Sequence, residues 1–196
     1  MGINMTTIYV VDNGGQWTHR EWRTLKYLNV DTKIIPNTTT IETLHENDIH
    51  GLVLSGGAPR IGLENELGNC AAYFENLSIP ILGICAGHQY MARFFGGTVK
   101  PSVTPEFGKI ELTLIEPQHP LFDNVPETSI VWESHNDEVT ALPESFLHLA
   151  KSKNCTYQAI AHKEKPLFGL QFHPEVEHTV YGQQIFKNFI TICSEH

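Results

Sequence analysis

Through the first half of the chain, short apolar runs alternate with apolar residues at helical spacing. Ile8, Tyr9, Val10 and Val11, entered from Thr6, form a run that stops at Asp12-Asn13-Gly14-Gly15. Such a run, bounded by turn residues, reads as a buried strand feeding a loop. From Trp17 to Leu28 the large apolar residues Trp17, Trp22, Leu25 and Leu28 recur at roughly helical spacing. Lys33-Ile34-Ile35 is a second strand stopped by Pro36, and a short helix follows around Ile41 and Leu44. Leu52-Val53-Leu54 is a third strand, ending in Ser55-Gly56-Gly57-Ala58-Pro59. Leu63, Leu67, Cys70, Ala71 and Phe74 mark one helix face, and Ile79 to Leu82 is a strand entering Gly83-Ile84-Cys85-Ala86-Gly87. A helix through Tyr90, Met91, Ala92, Phe94 and Phe95 comes next, capped by Gly96-Gly97.

Beyond Gly97 the texture changes. Ile110 to Leu114 alternates, as does part of Ser129 to Trp132, and Phe146–Ala150 and Thr156–Ala161 read as further strands. Lys163-Glu164-Lys165-Pro166 predicts a hairpin turn before Leu167–Phe172. Phe186, Phe189, Ile190 and Cys193 at i, i+3, i+4, i+7 predict a final helix with Cys193 in the core. The pattern predicts one α/β domain over residues 1–196. Its central sheet is mostly parallel and flanked by helices, with a more antiparallel second half.

Composition narrows the class. With 196 residues and 41% hydrophobic content the chain can build one full core. A net charge of −9 with scattered acids argues against a nucleic-acid surface. The four cysteines, Cys70, Cys85, Cys155 and Cys193, stand far apart, which predicts neither a zinc site nor a disulfide framework. No apolar run approaches a membrane span and no signal sequence opens the chain, so the expected location is cytoplasmic. A myristoylation pattern at Met1–Thr6 and sequons at Asn37, Asn76 and Asn154 read as accidents of composition.

The chemistry gathers at four places. Gly83-Ile84-Cys85-Ala86-Gly87 has the Gly-x-nucleophile-x-Gly form of a strand-to-helix elbow. There the helix N-terminus favours a thiolate; the plainer alternative is that Cys85 is a small buried hydrophobe. Gln171-Phe172-His173-Pro174-Glu175 offers His173 as acid and base, with Glu175 to hold the ring. Ser55-Gly56-Gly57 would let backbone N–H groups, with that of Ala86, face an oxyanion. It reads equally as a Gly-rich turn or as the start of a phosphate loop; Pro59-Arg60 and the lack of a Walker-type motif argue against the phosphate loop. The crowded polar stretch Trp132–Val139 suits either a binding loop or a solvated turn.

These residues carry a resemblance. Gly83–Gln89 together with Phe172-His173-Pro174-Glu175 is similar to the class I, triad-type glutamine amidotransferases. Val11–Gln16, Ser134–Val139 and Phe172–Thr179 further resemble the amidotransferase part of GMP synthetases, and the likeness runs from about Ile8 to Ile190. Anthranilate synthase-type relatives usually carry Ser where this chain has Val176.

The resemblance implies a flavodoxin-like fold and a Cys85–His173–Glu175 triad that hydrolyses glutamine. Gly57 and Ala86 would form the oxyanion hole, and Gln89 and Asn136 would bind substrate. Gln16, His135 and Asp137 would lie at a partner interface. It also implies a two-chain GMP synthetase of archaeal type, because fused enzymes continue where this chain ends at His196. The partner would be an ATP pyrophosphatase subunit that aminates XMP and holds ATP and magnesium, leaving this chain without a cofactor or metal. Ala58 is an extra residue before the proline that the family places directly after the glycines. Two other classes stay open: a regulatory module without catalysis, and a γ-glutamyl hydrolase needing no partner.

Overall fold

The computed structural model describes residues 5–196; the first four positions of the acylation pattern lie outside them. In chain order the elements are β1 (Ile8–Asn13), α1 (Thr18–Tyr27), β2 (Ile34–Pro36), α2 (Ile41–Glu46), β3 (Gly51–Gly57), α3 (Cys70–Asn76), β4 (Ile81–Ile84) and α4 (Ala86–Phe94). Then come β5 (Thr98–Leu114), β6 (Thr128–Ala141), β7 (Phe146–Lys151), β8 (Ala159–His162), β9 (Leu167–Leu170) and α5 (Gly182–Glu195). One sheet joins all nine strands in the order β2-β1-β3-β4-β9-β8-β7-β5-β6. Strands β2, β1, β3, β4 and β9 pair parallel, and β9 through β6 pair antiparallel.

Because a strand alternates its faces, the continuous apolar runs of the parallel half feed two cores. Ile8 and Val10 of β1 pack with Leu25 of α1 and with Phe186, Phe189 and Cys193 of α5. Tyr9 and Val11 pack on the other face with Leu44 of α2, Phe74 of α3 and Met91 of α4. Cys193 is therefore core, as its helical spacing predicts. The parallel strands end on a common edge, and the loops after β1, β3, β4 and β9 gather there, where open α/β sheets place their ligands.

Three elements differ from the pattern reading. The helix expected from Leu63 to Phe74 is a 3₁₀ turn at Ile61–Leu63 and a separate α3 starting at Cys70. Gly68 at φ 53° breaks it, and Asn69 N–H donates to the Asn37 carbonyl at 2.7 Å, so Leu63 is left exposed. Strand β5 begins right after Gly97 and includes Pro101 and Pro105; its register shifts between Pro101 and Glu106, where the ladder loses its donors. The polar stretch Trp132–Val139 is neither loop nor turn but the middle of β6. Its burial alternates, with Glu133, His135, Asp137 and Val139 inward. The period of two was present in the sequence but carried by polar residues.

The elbow glycines are fixed by close approach. A Cβ on Gly83 would lie 2.7 Å from the Gly87 backbone, and one on Gly87 would lie 2.6 Å from the Leu54 carbonyl oxygen. Backbone cannot yield as a flexible side chain can. Gly83→Ala and Gly87→Ala should each cost about 1–3 kcal/mol in urea denaturation, as overpacking does. An unchanged midpoint for either would mean that β4, β3 and α4 tolerate a looser junction than their spacing indicates.

Candidate active site

Cys85 joins β4 to α4 with φ 52° and ψ −105°, a conformation that L residues other than glycine rarely adopt. The strain is held by ordinary hydrogen bonds. Cys85 N–H donates to the Leu170 carbonyl at 2.8 Å, and the Cys85 carbonyl accepts from Gln89 N–H at 3.0 Å. The turn lifts the thiol out of the strand and sets it at the N-terminus of α4. Of the four free cysteines only Cys85 is not fully buried. Its Sγ lies 3.8 Å from the Ser134 carbonyl oxygen, and Gln171 Nε2 donates to it at 3.6 Å.

His173 follows β9 and is buried with Glu175, whose Oε1 lies 2.6 Å from His173 Nδ1. The opposite ring nitrogen, Nε2, is buried and has no partner among the described residues. Gly56 sits between ring and thiol: a Cβ there would be 3.3 Å from His173 Cε1 and 3.5 Å from Cys85 Cβ. The ring is also held edge-on by Trp17, with centroids 4.5 Å apart. His173 N–H donates to the Trp132 carbonyl at 2.9 Å, and Thr179 Oγ1 donates to the His173 carbonyl at 2.6 Å. Burial opposes the imidazolium. The Glu175 charge, with the nearby Cys85 thiol, outweighs it and leaves His173 well above its ordinary pKa.

Cys85, His173 and Glu175 share an open cleft of about 280 Å³ with Gly57, Trp17 and Gln16. A second pocket of about 120 Å³ also reaches Cys85, and is lined by Ala86, Gln89 and Asn136. The sequence-predicted triad, Gly57, Ala86, Gln89 and Asn136 are thus brought together around one thiol. Gln89 itself is buried, with Nε2 donating to the Asp137 carbonyl at 2.7 Å and to Gln171 Oε1 at 3.0 Å. Gln16 and Asn136 are exposed.

The interface reading of His135 and Asp137 does not fit their side chains, which are both buried. They occupy inward positions of β6. His135 Nε2 pairs with Glu106 Oε2 at 3.2 Å, and Asp137 is clasped by Arg60. Glu106 also accepts from Ser152 and Gln158. Glu106, His135 and Cys155 bring donor atoms within 4.8 Å of one another, but the Glu106 oxygens are already engaged by these hydrogen bonds.

The model of the family "Glutamine amidotransferase class-I" matches residues 9–193. This chain belongs to the class-I glutamine amidotransferases. A relative from Thermoplasma acidophilum, named as a subunit of GMP synthase (glutamine-hydrolyzing), is 49% identical over 98% of this chain and 95% of its own length. A relative of the same name from Pyrococcus abyssi is 46% identical over 96% of this chain and 99% of its own. A crystal structure described as that of a GMP synthase subunit from T. acidophilum superposes with a TM-score of 0.91, at 49% identity, covering 99% of this chain and 96% of that one. A glutamine amidotransferase from Thermotoga maritima, 19% identical, shares the fold with a TM-score of 0.71 over 98% of this chain and 84% of that one.

One residue of this amidotransferase site escaped the sequence reading. Glu21 on α1 is 1% exposed, lines the larger cleft, and leaves Oε2 without a partner among the described residues. Its signal was a charge on the apolar face, four residues after Trp17 and four before Leu25. Burial, reinforced by the nearby Glu175 charge, raises its pKa well above the ordinary carboxyl value. A carboxyl raised on folding stays protonated in the native state while the unfolded chain ionises near pH 4.5. Its contribution to stability therefore falls as pH rises above 4.5, until Glu21 ionises in the native state too. Glu21→Met removes the unpartnered group and should stabilise the chain by about 1–3 kcal/mol at about pH 8. The gain should shrink toward pH 4.5, as read by urea denaturation at both pH values. A gain that is constant with pH would mean that Glu21 is not held protonated by the fold.

Proposed function

We propose that this chain hydrolyses glutamine to glutamate and ammonia, and supplies the ammonia to a separate ATP pyrophosphatase subunit that aminates XMP to GMP. The observation that carries the chemistry is the strained Cys85 facing the unpartnered Nε2 side of a buried His173–Glu175 pair. The relatives' shared name, as glutamine-hydrolyzing GMP synthase subunits, supports the pathway, because the match covers nearly the whole length of each chain.

In this reading the Cys85 thiolate attacks the side-chain amide carbon of glutamine. The N–H groups of Gly57 and Ala86 stabilise the tetrahedral oxyanion, each donor contributing on the order of 3 kcal/mol. His173 protonates the departing ammonia and then activates water against the glutamyl thioester. Glu175 fixes the ring tautomer and supports the imidazolium. Gln89 and Asn136 border the substrate side of the thiol. Exposed Gln16, at the mouth of the larger cleft, faces the partner. No cofactor is needed on this chain; ATP and magnesium belong to the partner. The reaction fits a cytoplasmic setting, and among the described residues no helix is long and apolar enough to cross a membrane.

Free ammonia is mostly protonated at neutral pH and is then no nucleophile, so transfer belongs inside the complex. Glutamine hydrolysis by the chain alone should be slow and should rise strongly with the pyrophosphatase subunit, ATP and XMP. Cys85→Ala should abolish it. Glu175→Gln should lower kcat by roughly a hundredfold or more, by the logic of a lost triad carboxylate. GMP formation from added ammonium salt should survive both substitutions. Brisk hydrolysis indifferent to the partner would sink the assignment to GMP synthesis, and Cys85-independent hydrolysis would sink the mechanism.

A further inference from the structure

Away from the cleft, four side chains of metal-ligating type converge in the interior. They are Glu106 from β5, Glu133 and His135 from β6, and Cys155 from the loop after β7. None of the four is more than 2% exposed. Hydrogen bonds alone do not satisfy them. His135 Nδ1 lies 3.0 Å from the Asp137 carbonyl oxygen, which can only accept, so Nδ1 carries a proton. Nε2 then faces two carboxyl groups, with Glu106 Oε2 at 3.2 Å and Glu133 Oε2 at 3.7 Å. An N–H at Nε2 serves only one of these. Neither oxygen of Glu133 has a hydrogen bond among the described residues. Two carboxyls and a thiol sealed from water around one imidazole are costly to bury, unless a cation lies between them.

The geometry fits such an ion. Ligand atoms at about 2.0–2.3 Å from a tetrahedral zinc stand roughly 3.3–3.8 Å from one another. The two Nε2 contacts fall close to that spacing, and the donor atoms of Glu106, His135 and Cys155 lie within 4.8 Å of one another. The surrounding hydrogen bonds are of the kind that orient ligands. The Asp137 carbonyl fixes the ring so that Nε2 points inward. Ser152 Oγ donates to Glu106 Oε1 at 2.7 Å, and Gln158 Nε2 donates to Glu106 Oε2 at 2.8 Å. Each takes one lone pair from an oxygen that has two, so Glu106 remains a ligand. Ser152 Oγ also accepts the Cys155 N–H at 3.1 Å, which ties the thiol loop to the same carboxylate. A groove of about 880 Å³ between β5 and the loop after β7 reaches Glu106 and Ser152, and gives an ion a way in.

We propose that Glu106, Glu133, His135 and Cys155 bind one structural zinc ion. Sulfur, nitrogen and carboxylate donors together suit zinc, whereas magnesium and calcium take oxygen alone. Four protein ligands leave no open position, so the ion is structural and not catalytic. It ties β6 to β5 and to the loop after β7. It thereby steadies the strand whose Ser134 and Trp132 carbonyls meet Cys85 and His173. Cysteine spacing does not announce the site, because only one cysteine takes part and its co-ligands come from two other strands.

The test uses the full chain carrying Cys85→Ala, so that the exposed thiol cannot take the ion. Loaded with zinc and freed of excess by gel filtration, this parent chain should retain one zinc per chain by elemental analysis. Its thermal midpoint should rise by about 5–10 °C at zinc a hundredfold above the dissociation constant, and fall back with a chelator. Cobalt(II) in place of zinc should show the d–d bands of a tetrahedral ion and a thiolate charge-transfer band. Adding Cys155→Ser should remove the charge-transfer band. Glu133→Gln should raise the midpoint of the metal-free chain, by removing an unpaired buried carboxyl, and should lose most of the rise with zinc. Ser152→Ala should weaken zinc binding by about 10–100-fold. If the Cys155 and Glu133 variants fail to fold, the cobalt spectrum of the parent decides. Among the described residues no other group of three metal-ligating side chains contains a cysteine. No retained zinc, or a cobalt spectrum without the thiolate band, overturns the proposal and leaves a hydrogen-bonded cluster with Glu133 protonated. A rise with zinc that persists unchanged in Cys155→Ser and Glu133→Gln overturns it too, since the ion then sits elsewhere.

Discussion

The site depends on one backbone conformation, that of Cys85. A residue with a Cβ at φ 52° costs on the order of 1–3 kcal/mol, and persists only where its surroundings over-determine it. Here they do. Gly83 and Gly87 let β4, β3 and α4 close to distances that no side chain would permit. The Leu170 carbonyl and the Gln89 N–H then take both backbone groups of Cys85. Relaxing the strain would drop the thiol back toward the sheet and break the register between β4 and α4. The stability of the two cores on either face of the parallel sheet is therefore what keeps the Cys85 thiol raised.

The second constraint comes from β6, which ends the sheet at the edge far from β1 yet returns to the site. Its Ser134 carbonyl meets Cys85 and its Trp132 carbonyl holds His173. The inward positions of this strand are polar: Glu133, His135 and Asp137. Buried charge is a poor source of stability in itself, and each such group must find partners or lose free energy. His135 pairs with Glu106, and Asp137 with Arg60. A slip of one residue in β6 would expose these groups and bury Ser134 and Asn136 in their place, so the pairs fix register more than they add stability. Glu133 is fully buried, with His135 Nε2 3.7 Å from its Oε2 and neither oxygen hydrogen-bonded among the described residues, and burial pushes its pKa well up. Together with Glu21 it places a second desolvated acid close to Cys85 and His173.

Much of this was legible in the sequence. The parallel half was readable because its strands are buried on both faces and appear as unbroken apolar runs such as Ile8–Val11 and Leu52–Leu54. The Cys85 elbow was readable because its two glycines answer a local steric demand. His173 and Glu175 stand two residues apart, so their pairing needed no long-range information beyond the end of β9. Where the reading failed, the signal was carried by the wrong residue types. The stretch Trp132–Val139 of β6 passed for a binding loop or a turn because its buried face is polar, and Leu63 passed for helix because the αL turn at Gly68 is set by a contact with distant Asn37.

What the sequence by itself determined was the class of fold and the placing of Cys85, His173 and Glu175 after the parallel strands β4 and β9, for these follow from periodicity and from short-range sterics. Only the tertiary structure decided how the second half meets the first. The partners of Glu106, His135, Asp137 and Arg60 lie 29 to 77 residues away along the chain. No local propensity encodes such a pairing, because charge has no period to read. The curl of the sheet chose which acids became buried beside Cys85, and with them which surfaces of the site face substrate and which face only the core.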